Sequence, residues 1–157
     1  MNKMKEETRK LLDELMERPS SAYLATIDKN GSPSIRAVFN LRCKESFAHP
    51  AKVIKEYDKY PYSVYISTNT SSVKMKHIEN NKKIALYFSI PDEGKGIMFQ
   101  GEVEILDDLK FKESIWMKNW NIYYPKGYED PDFTILKLKP KIMRGWFRGH
   151  FEYNFTD

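Results

Sequence analysis

The dipeptide Asn30-Gly31, set between the strand-like runs "SSAYLATID" and "SPSIRAVFNL", constrains this chain more than any other feature. A two-residue type I′ turn needs positive φ at both central positions, and Asn and Gly supply it most readily, so a tight antiparallel hairpin is predicted. A second constraint lies further on, in "KIALYFSI". There Ile84, Leu86, Phe88 and Ile90 alternate with Ala85, Tyr87 and Ser89, the period-two pattern of a strand with one buried face. The runs "YSVYIST", "IMFQGEVEIL", "FTILKLKP" and "KIMRGWFRG" add further strands, the last two on either side of Pro140.

Helices punctuate this series. Residues 3–17 place Met4, Thr8, Leu11, Leu12 and Leu15 near one face before Pro19 stops the helix. A short helix is expected before Pro61, another after Ser71 or Ser72, and a fourth over 107–119, with Asp107 or Asp108 as its N-cap. Trp116 and Trp120, four apart on that last helix, read as packing residues, with a dimer interface as the alternative. The expectation is a mainly β (α+β) fold: a small barrel of six to seven antiparallel strands with peripheral helices. One domain is expected over residues 1–157, with the barrel over about 20–148 and no repeat or linker.

Of the 157 residues, 41% are hydrophobic and 31% charged, which suits a globular core with a hydrated surface. No apolar run approaches the ~20 residues that span a bilayer. The N-terminal segment mixes acidic and basic residues, unlike a secretory signal, so a cytoplasmic protein is expected. The single cysteine, Cys43, and three scattered histidines, His49, His77 and His150, form no metal-ligand spacing, so no metal is expected. The net charge of +4 is spread along the chain and matches no nucleic-acid module, so no specific nucleic-acid partner is expected.

The stretch "TNTSSVKMKHIENN", residues 68–81, carries the chemistry. A strand ending near Thr68 and a helix starting near Ser72 would leave the helix's first N–H groups unpaired, a ready anion site. Lys74 in that first turn adds a point charge. On "SIRAVF", Arg36 alternates with Ile35, Ala37 and Phe39; with the apolar set filling the barrel, Arg36 would point outward and complete the pocket. The plainer reading is a serine cap with a solvated lysine face. Met75 and Ile78, three apart, read as core contacts.

The order of these elements is more specific. The strand–hairpin–"RAVF" unit, then "STNTSSVKMKHIENNKKIALYFSI", then "MFQGEVEIL", resembles the pyridoxamine 5′-phosphate oxidase-like superfamily of FMN-binding split barrels. The tail "YPKGYEDPDFTILKLKPKIMRGW" is similar to its short, general-stress-protein branch. The resemblance implies a homodimer with flavin mononucleotide (FMN) at the subunit interface. It assigns Arg36 to the phosphate and Ala37, Val38 and Phe39 to the flavin border. Ser67 and Thr68 would lie along the ring and ribityl chain, and Ser72 and Lys74 at the phosphate turn. Trp146 would approach the flavin of the partner subunit.

This sequence also departs from the pattern. Val73 stands where the family often has arginine, with Arg42 or Lys76 as candidates to compensate. Gly96 stands where the larger oxidases carry a flavin-bonding glutamine, with Gln100 as a candidate substitute. Arg148 and His150 only loosely imitate the substrate-binding end of those oxidases, so pyridoxamine phosphate oxidation itself is not expected. What is expected is an FMN-binding oxidoreductase drawing electrons from a nicotinamide or similar donor. The alternatives are a non-turnover flavin carrier or stress sensor, and a barrel that binds haem or a deazaflavin. Tyr65, Tyr87, His77 and His150 are the candidate acid–base residues.

Overall fold

The computed structural model describes residues 4–155. Eight strands, all paired antiparallel, form one curled sheet: β1 (Ser21–Ile27), β2 (Pro33–Phe39), β3 (Val64–Asn69), β4 (Lys83–Ile90), β5 (Lys95–Leu106), β6 (Phe133–Leu138), β7 (Ile142–Trp146) and β8 (His150–Asn154). The main path runs β2-β1-β4-β5-β6-β3, with β7 on β5 and β8 on β7. The long β5 makes the curl possible. Its first half lies between β4 and β7, and its second half leaves them to pair with β6. This brings β3, at the far end of the path, beside β2 without ladder hydrogen bonds between them. The barrel is therefore split along the β2–β3 seam.

The mainly β architecture with peripheral helices is the one expected, and it carries an additional strand. β8 forms a hairpin with β7, turning at Arg148 (φ 54°) and Gly149. A non-glycine residue at positive φ is a weak sequence signal, and this turn was missed.

The first hairpin forms where expected but by a different turn. Gly31 has φ 81°, while Asn30 does not take a positive φ. Asp28 O accepts from Gly31 N–H at 3.0 Å, and Asp28 N–H donates to Ser32 O at 2.9 Å, so three residues rather than two form the loop. The Asp28 carboxylate accepts from the N–H groups of Asn30 and Ser32 at 2.8 and 2.9 Å. That local bonding favours a type I turn closed by a left-handed glycine over type I′.

Four α-helices are present among the described residues: α1 (Glu6–Glu17), α2 (Ala48–Tyr57), α3 (Val73–Asn80) and α4 (Leu109–Ile115). The expected start of α1 at Lys3 lies outside the described residues. Leu11, Leu12, Leu15 and Met16 of α1 pack into a core with Leu24, Leu86, Phe88, Ile97 and Phe99 from the strands. A second core lies on the other face of β3 and β6, where Tyr65, Phe133 and Ile135 meet Phe47, Ile54, Phe111 and Trp120. These two strands are thus buried on both faces, which fixes their register firmly.

Asp108 caps α4, accepting from Phe111 N–H at 3.0 Å. That helix ends at Ile115 instead of Asn119. Trp116 turns extended (ψ 134°), and a 3-10 turn follows at Lys118–Ile122. The break lets Trp116 meet Phe133 edge-on, with ring centroids 5.1 Å apart, while Trp116 and Trp120 stay T-shaped at 5.7 Å. Trp120 is buried within one chain. Among the described residues no helix is long and apolar enough to cross a membrane.

Candidate functional site: an aromatic groove ending in two unpaired cations

A groove of about 250 Å³ opens along the β2–β3 seam, lined by Ala37, Val38 and Phe39 on one side and Ser67, Thr68 and Asn69 on the other. Lys74 stands at its polar end. Ser21, Trp120, Tyr123 and Tyr124 complete the lining. None of these lining residues is a carboxylate or a histidine. Sites that enclose a drug-sized ligand usually measure ~300–1,000 Å³, so this groove is the size of a partial site.

Thr68 and Lys74 line the polar end, while Arg36 and Ser72 do not line the groove; Arg36 acts on Lys74 through its charge. On β2, Arg36 lies opposite Leu24 of β1 and shares its inward face. One guanidinium nitrogen, Nη1, donates to Thr26 Oγ1 at 2.6 Å, Ser34 O at 3.1 Å and Leu24 O at 3.2 Å. Nε and Nη2 have no partner in the chain among the described residues, so three of the five N–H donors of the fork are free. On α3, Lys74 Nζ donates to Thr68 Oγ1 at 2.8 Å. Burial pushes the Lys74 ammonium below its ordinary range, and the positive charge of Arg36 pushes it further; burial lowers Arg36 as well. Neither cation has a carboxylate partner among the described residues. Two half-buried cations facing each other are unfavourable on their own and favourable around a dianion.

Ser72 is the N-cap residue of α3, yet its side chain makes no capping bond. Its Oγ is buried without a partner. Buried hydroxyls in native folds are nearly always paired, so this atom fits a site for an acceptor-rich group. The plain serine-cap reading of this turn therefore fails at Ser72.

The neighbouring hydroxyls are structural instead. Thr70 Oγ1 donates to Pro131 O at 2.9 Å, while Asp132 accepts from Asn69 Nδ2 at 2.7 Å and from Ser71 N–H at 2.8 Å. Asp130 in turn holds its own loop, accepting from the N–H groups of Lys126 and Asp132, both at 3.0 Å. The acidic loop after Gly127 thus clamps the turn before α3 and fixes where Ser72 and Lys74 stand.

Several expectations are corrected. Arg36 does not point outward. It shares the inner face with Val38, while Ile35 (70% exposed), Ala37 and Phe39 look out. The alternation was sound, but the apolar set belongs to an outer face that is itself apolar, with Tyr23, Tyr87 and Trp146 on neighbouring strands. Arg42 cannot replace a missing charge at Val73. It lies by α1 and bonds Pro61 O and, at 3.2 Å, Ser63 O. Lys76 is exposed on α3 and does not line the groove. Gln100 does not reach the groove either, because its Oε1 accepts from Arg144 at 2.8 Å.

Gly96 has a physical reason. A Cβ there would stand 2.1 Å from Tyr87 Oη, so the Tyr87 ring occupies the space a larger residue would need. Trp146 is 58% exposed on the outer face, opposite Gly96, and does not meet the groove of its own chain.

Of the acid–base candidates, Tyr65 is buried, donating to Asp58 Oδ2 at 2.8 Å; burial, and then Asp58, push its hydroxyl well above the phenol range. Tyr87 and His150 lie on the outer face. Only His77 approaches the polar end, with Nδ1 2.9 Å from Thr26 Oγ1. Trp120, Tyr123, Tyr124, Asn69 and Ser21 were missed as groove residues, Trp120 having been read as packing. The turn-rich "YYP" segment was the available signal, but it was read as a connection.

The pyridoxamine 5′-phosphate oxidase family model matches residues 5–147. The chain belongs to this family. Among curated proteins it is similar to the pyridoxine/pyridoxamine 5′-phosphate oxidase of Wolbachia pipientis wMel, 24% identical over 93% of this chain and 76% of that protein. Among solved structures it is similar to a Clostridium acetobutylicum protein related to general stress protein 26 of B. subtilis, from the pyridoxine phosphate oxidase family. That match has 26% identity and a TM-score of 0.67, covering 95% of this chain and 92% of that one. A pyridoxamine 5′-phosphate oxidase-related, FMN-binding protein of Nostoc punctiforme PCC 73102 shares the fold, with TM-score 0.60 and 15% identity over 100% and 94% of the two chains. This member of the oxidase family thus has the split-barrel architecture of the general-stress-protein branch, with a groove along its β2–β3 seam.

Proposed function

We propose that this oxidase-family member binds FMN in the β2–β3 groove and acts as an oxidoreductase on a small substrate, with a nicotinamide or similar electron donor. The observation that carries the reading is Lys74 at the end of an aromatic groove, carboxylate-free and within range of the Arg36 charge, two residues after the unpartnered Ser72 hydroxyl. That donor set fits a phosphate monoester, and the walls of Ala37, Val38, Phe39, Trp120 and Tyr124 fit a planar ring system. FMN supplies the two-electron chemistry when bound. The chain's own residues hold and orient it: Arg36 and Lys74 neutralise the phosphate, Thr68 orients Lys74, and the aromatic wall excludes water.

A second copy of the chain completes the site in this reading. The groove is partial, and it opens toward the outer apolar face formed by Tyr23, Ile35, Phe39, Tyr87 and Trp146. A homodimer through that face buries those side chains and brings one subunit's Trp146 toward the other's groove. An exposed, contiguous apolar face of this kind marks an interface.

A flavin carrier or sensor without turnover is the second reading, favoured by the lack of any carboxylate or histidine in the groove lining. The freshly purified protein is expected to absorb near roughly 450 nm, as bound flavin does, with the mass of a dimer. Anaerobic reduction by a nicotinamide, then electron transfer to an acceptor, supports the oxidoreductase. Bound flavin that no donor reduces supports the carrier, and a colourless protein that ignores added FMN rejects both.

A further inference from the structure

We infer that Thr26 and His77 are positioning residues for the phosphate end, acting through Arg36. The inference deepens the FMN reading and rests on it. Thr26 is fully buried on β1, and its Oγ1 is the shared point of two side-chain contacts: Arg36 Nη1 at 2.6 Å and His77 Nδ1 at 2.9 Å. Arg36 can only donate, so Thr26 Oγ1 accepts from it. The hydroxyl hydrogen of Thr26 then needs an acceptor, and among the described residues His77 Nδ1 is the one it meets. In this relay His77 Nδ1 is the acceptor of that hydrogen, and the chain runs Arg36 to Thr26 to His77.

This arrangement has a directional consequence. With Nη1 held by Thr26 and the carbonyls of Leu24 and Ser34, the guanidinium presents its Nε and Nη2 edge as the free edge. Two parallel donors on one edge are the geometry that meets two oxygens of a phosphate. His77 lies on α3, one turn after Lys74, so the relay also ties the helix carrying the second cation to the strand carrying the first. Asp28 in the β1–β2 turn acts on His77 by charge, Lys74 stands one turn before it on its own helix, and Arg36 is joined to it through Thr26. A histidine that only accepts through Nδ1 adds no third cation to this cluster.

The test compares wild type, Thr26→Val and Thr26→Ser by titration with FMN and with riboflavin, which lacks the phosphate. The nitrogen-15 shifts of the His77 ring are recorded in the same proteins at about pH 8, where imidazole is neutral. Thr26→Val is expected to weaken FMN at least about fivefold, the loss of one charge-assisted contact, and leave riboflavin within about twofold. Thr26→Ser restores FMN affinity. In wild type and the Ser variant His77 Nδ1 resonates as an unprotonated acceptor, and the Val variant loses that preference. FMN affinity unchanged in Thr26→Val, equal losses for FMN and riboflavin, or a protonated Nδ1 in wild type each overturn the relay. If wild type binds no flavin, the cofactor reading falls separately. The relay is then judged on inorganic phosphate, whose affinity Thr26→Val must lower for it to stand.

Discussion

Two arginines of this barrel are partly withdrawn from water, and their surroundings could hardly differ more. Burial lowers both Arg36 and Arg42 from the usual guanidinium range. Around Arg42 the chain supplies compensation: carbonyls of Pro61 and Ser63, Glu17 at 3.9 Å, and the nearby charges of Asp13 and Asp58. Around Arg36 it supplies neutral oxygens on one nitrogen only, and then a second cation, Lys74. Arg42 is balanced by its own fold. Arg36 and Lys74 have no carboxylate to balance them among the described residues, which is the ground for the phosphate proposed there.

Removing both members of the unbalanced pair gives the largest expected effect. Arg36→Ala with Lys74→Ala should weaken FMN by ~1.5–3 kcal/mol or more, roughly 10- to 100-fold, with little loss of stability in the unliganded protein. Unchanged FMN affinity in a titration breaks the comparison. Arg42→Met should do the reverse. It leaves the part-buried bond to the Ser63 carbonyl without its donor and Glu17 without a counter-charge, and costs about 1 kcal/mol in urea unfolding, with FMN affinity unchanged.

Acid provides a third contrast. Burial raises the Asp58 carboxyl, but Lys137 Nζ at 2.9 Å, the Tyr60 N–H and the Tyr65 hydroxyl outweigh it and leave the group well below the usual range. A carboxylate depressed on folding contributes stability above its unfolded value of about 3.9, and that contribution is lost as the pH falls through the folded value. Stability measured by denaturant should therefore decline below about pH 4, and less steeply in Lys137→Met. Arg36 and Lys74 themselves, with no carboxylate partner among the described residues, add nothing to that decline, whereas Asp28 and Asp132 nearby, also lowered on folding, add to it.

The smallest effect belongs to Gly96, remote from both arginines. Gly96→Ala must displace Tyr87, whose ring is half exposed, so stability should change by only about 0.5 kcal/mol in the monomeric unit. A loss of dimer mass in that variant would sharpen the assignment of the outer face.

How much of this was legible in the sequence depended on whether one residue's neighbours decided its role. The period of "KIALYFSI" gave β4 its bounds, because buried Leu86 and Phe88 leave no alternative register. Lys74 at the groove's end followed from a strand end and a helix start, which are local features, whereas Thr68 and the Ala37–Phe39 segment came only from the family resemblance. The face of Arg36 was not legible. Alternation shows that Ile35 and Arg36 point opposite ways, but a sheet with two apolar faces does not say which is inside. The roles of Thr26 and His77 depend on bonds across 51 residues of chain, and the clamp of Asp132 on Ser71 spans 61, distances at which spacing carries no information. The turn at Asn30-Gly31 was placed correctly and typed wrongly, since the Asp28 side chain, not the dipeptide, selects the conformation.

The central claim is that the unpaired cations at the seam exist to receive a phosphate. Parallel titrations of the wild-type protein with FMN and with riboflavin test it most directly. The account predicts that FMN binds at least about tenfold more tightly, the contribution of one charge-assisted contact or more, and that the difference shrinks as salt is raised. Equal affinity for the two flavins would contradict it.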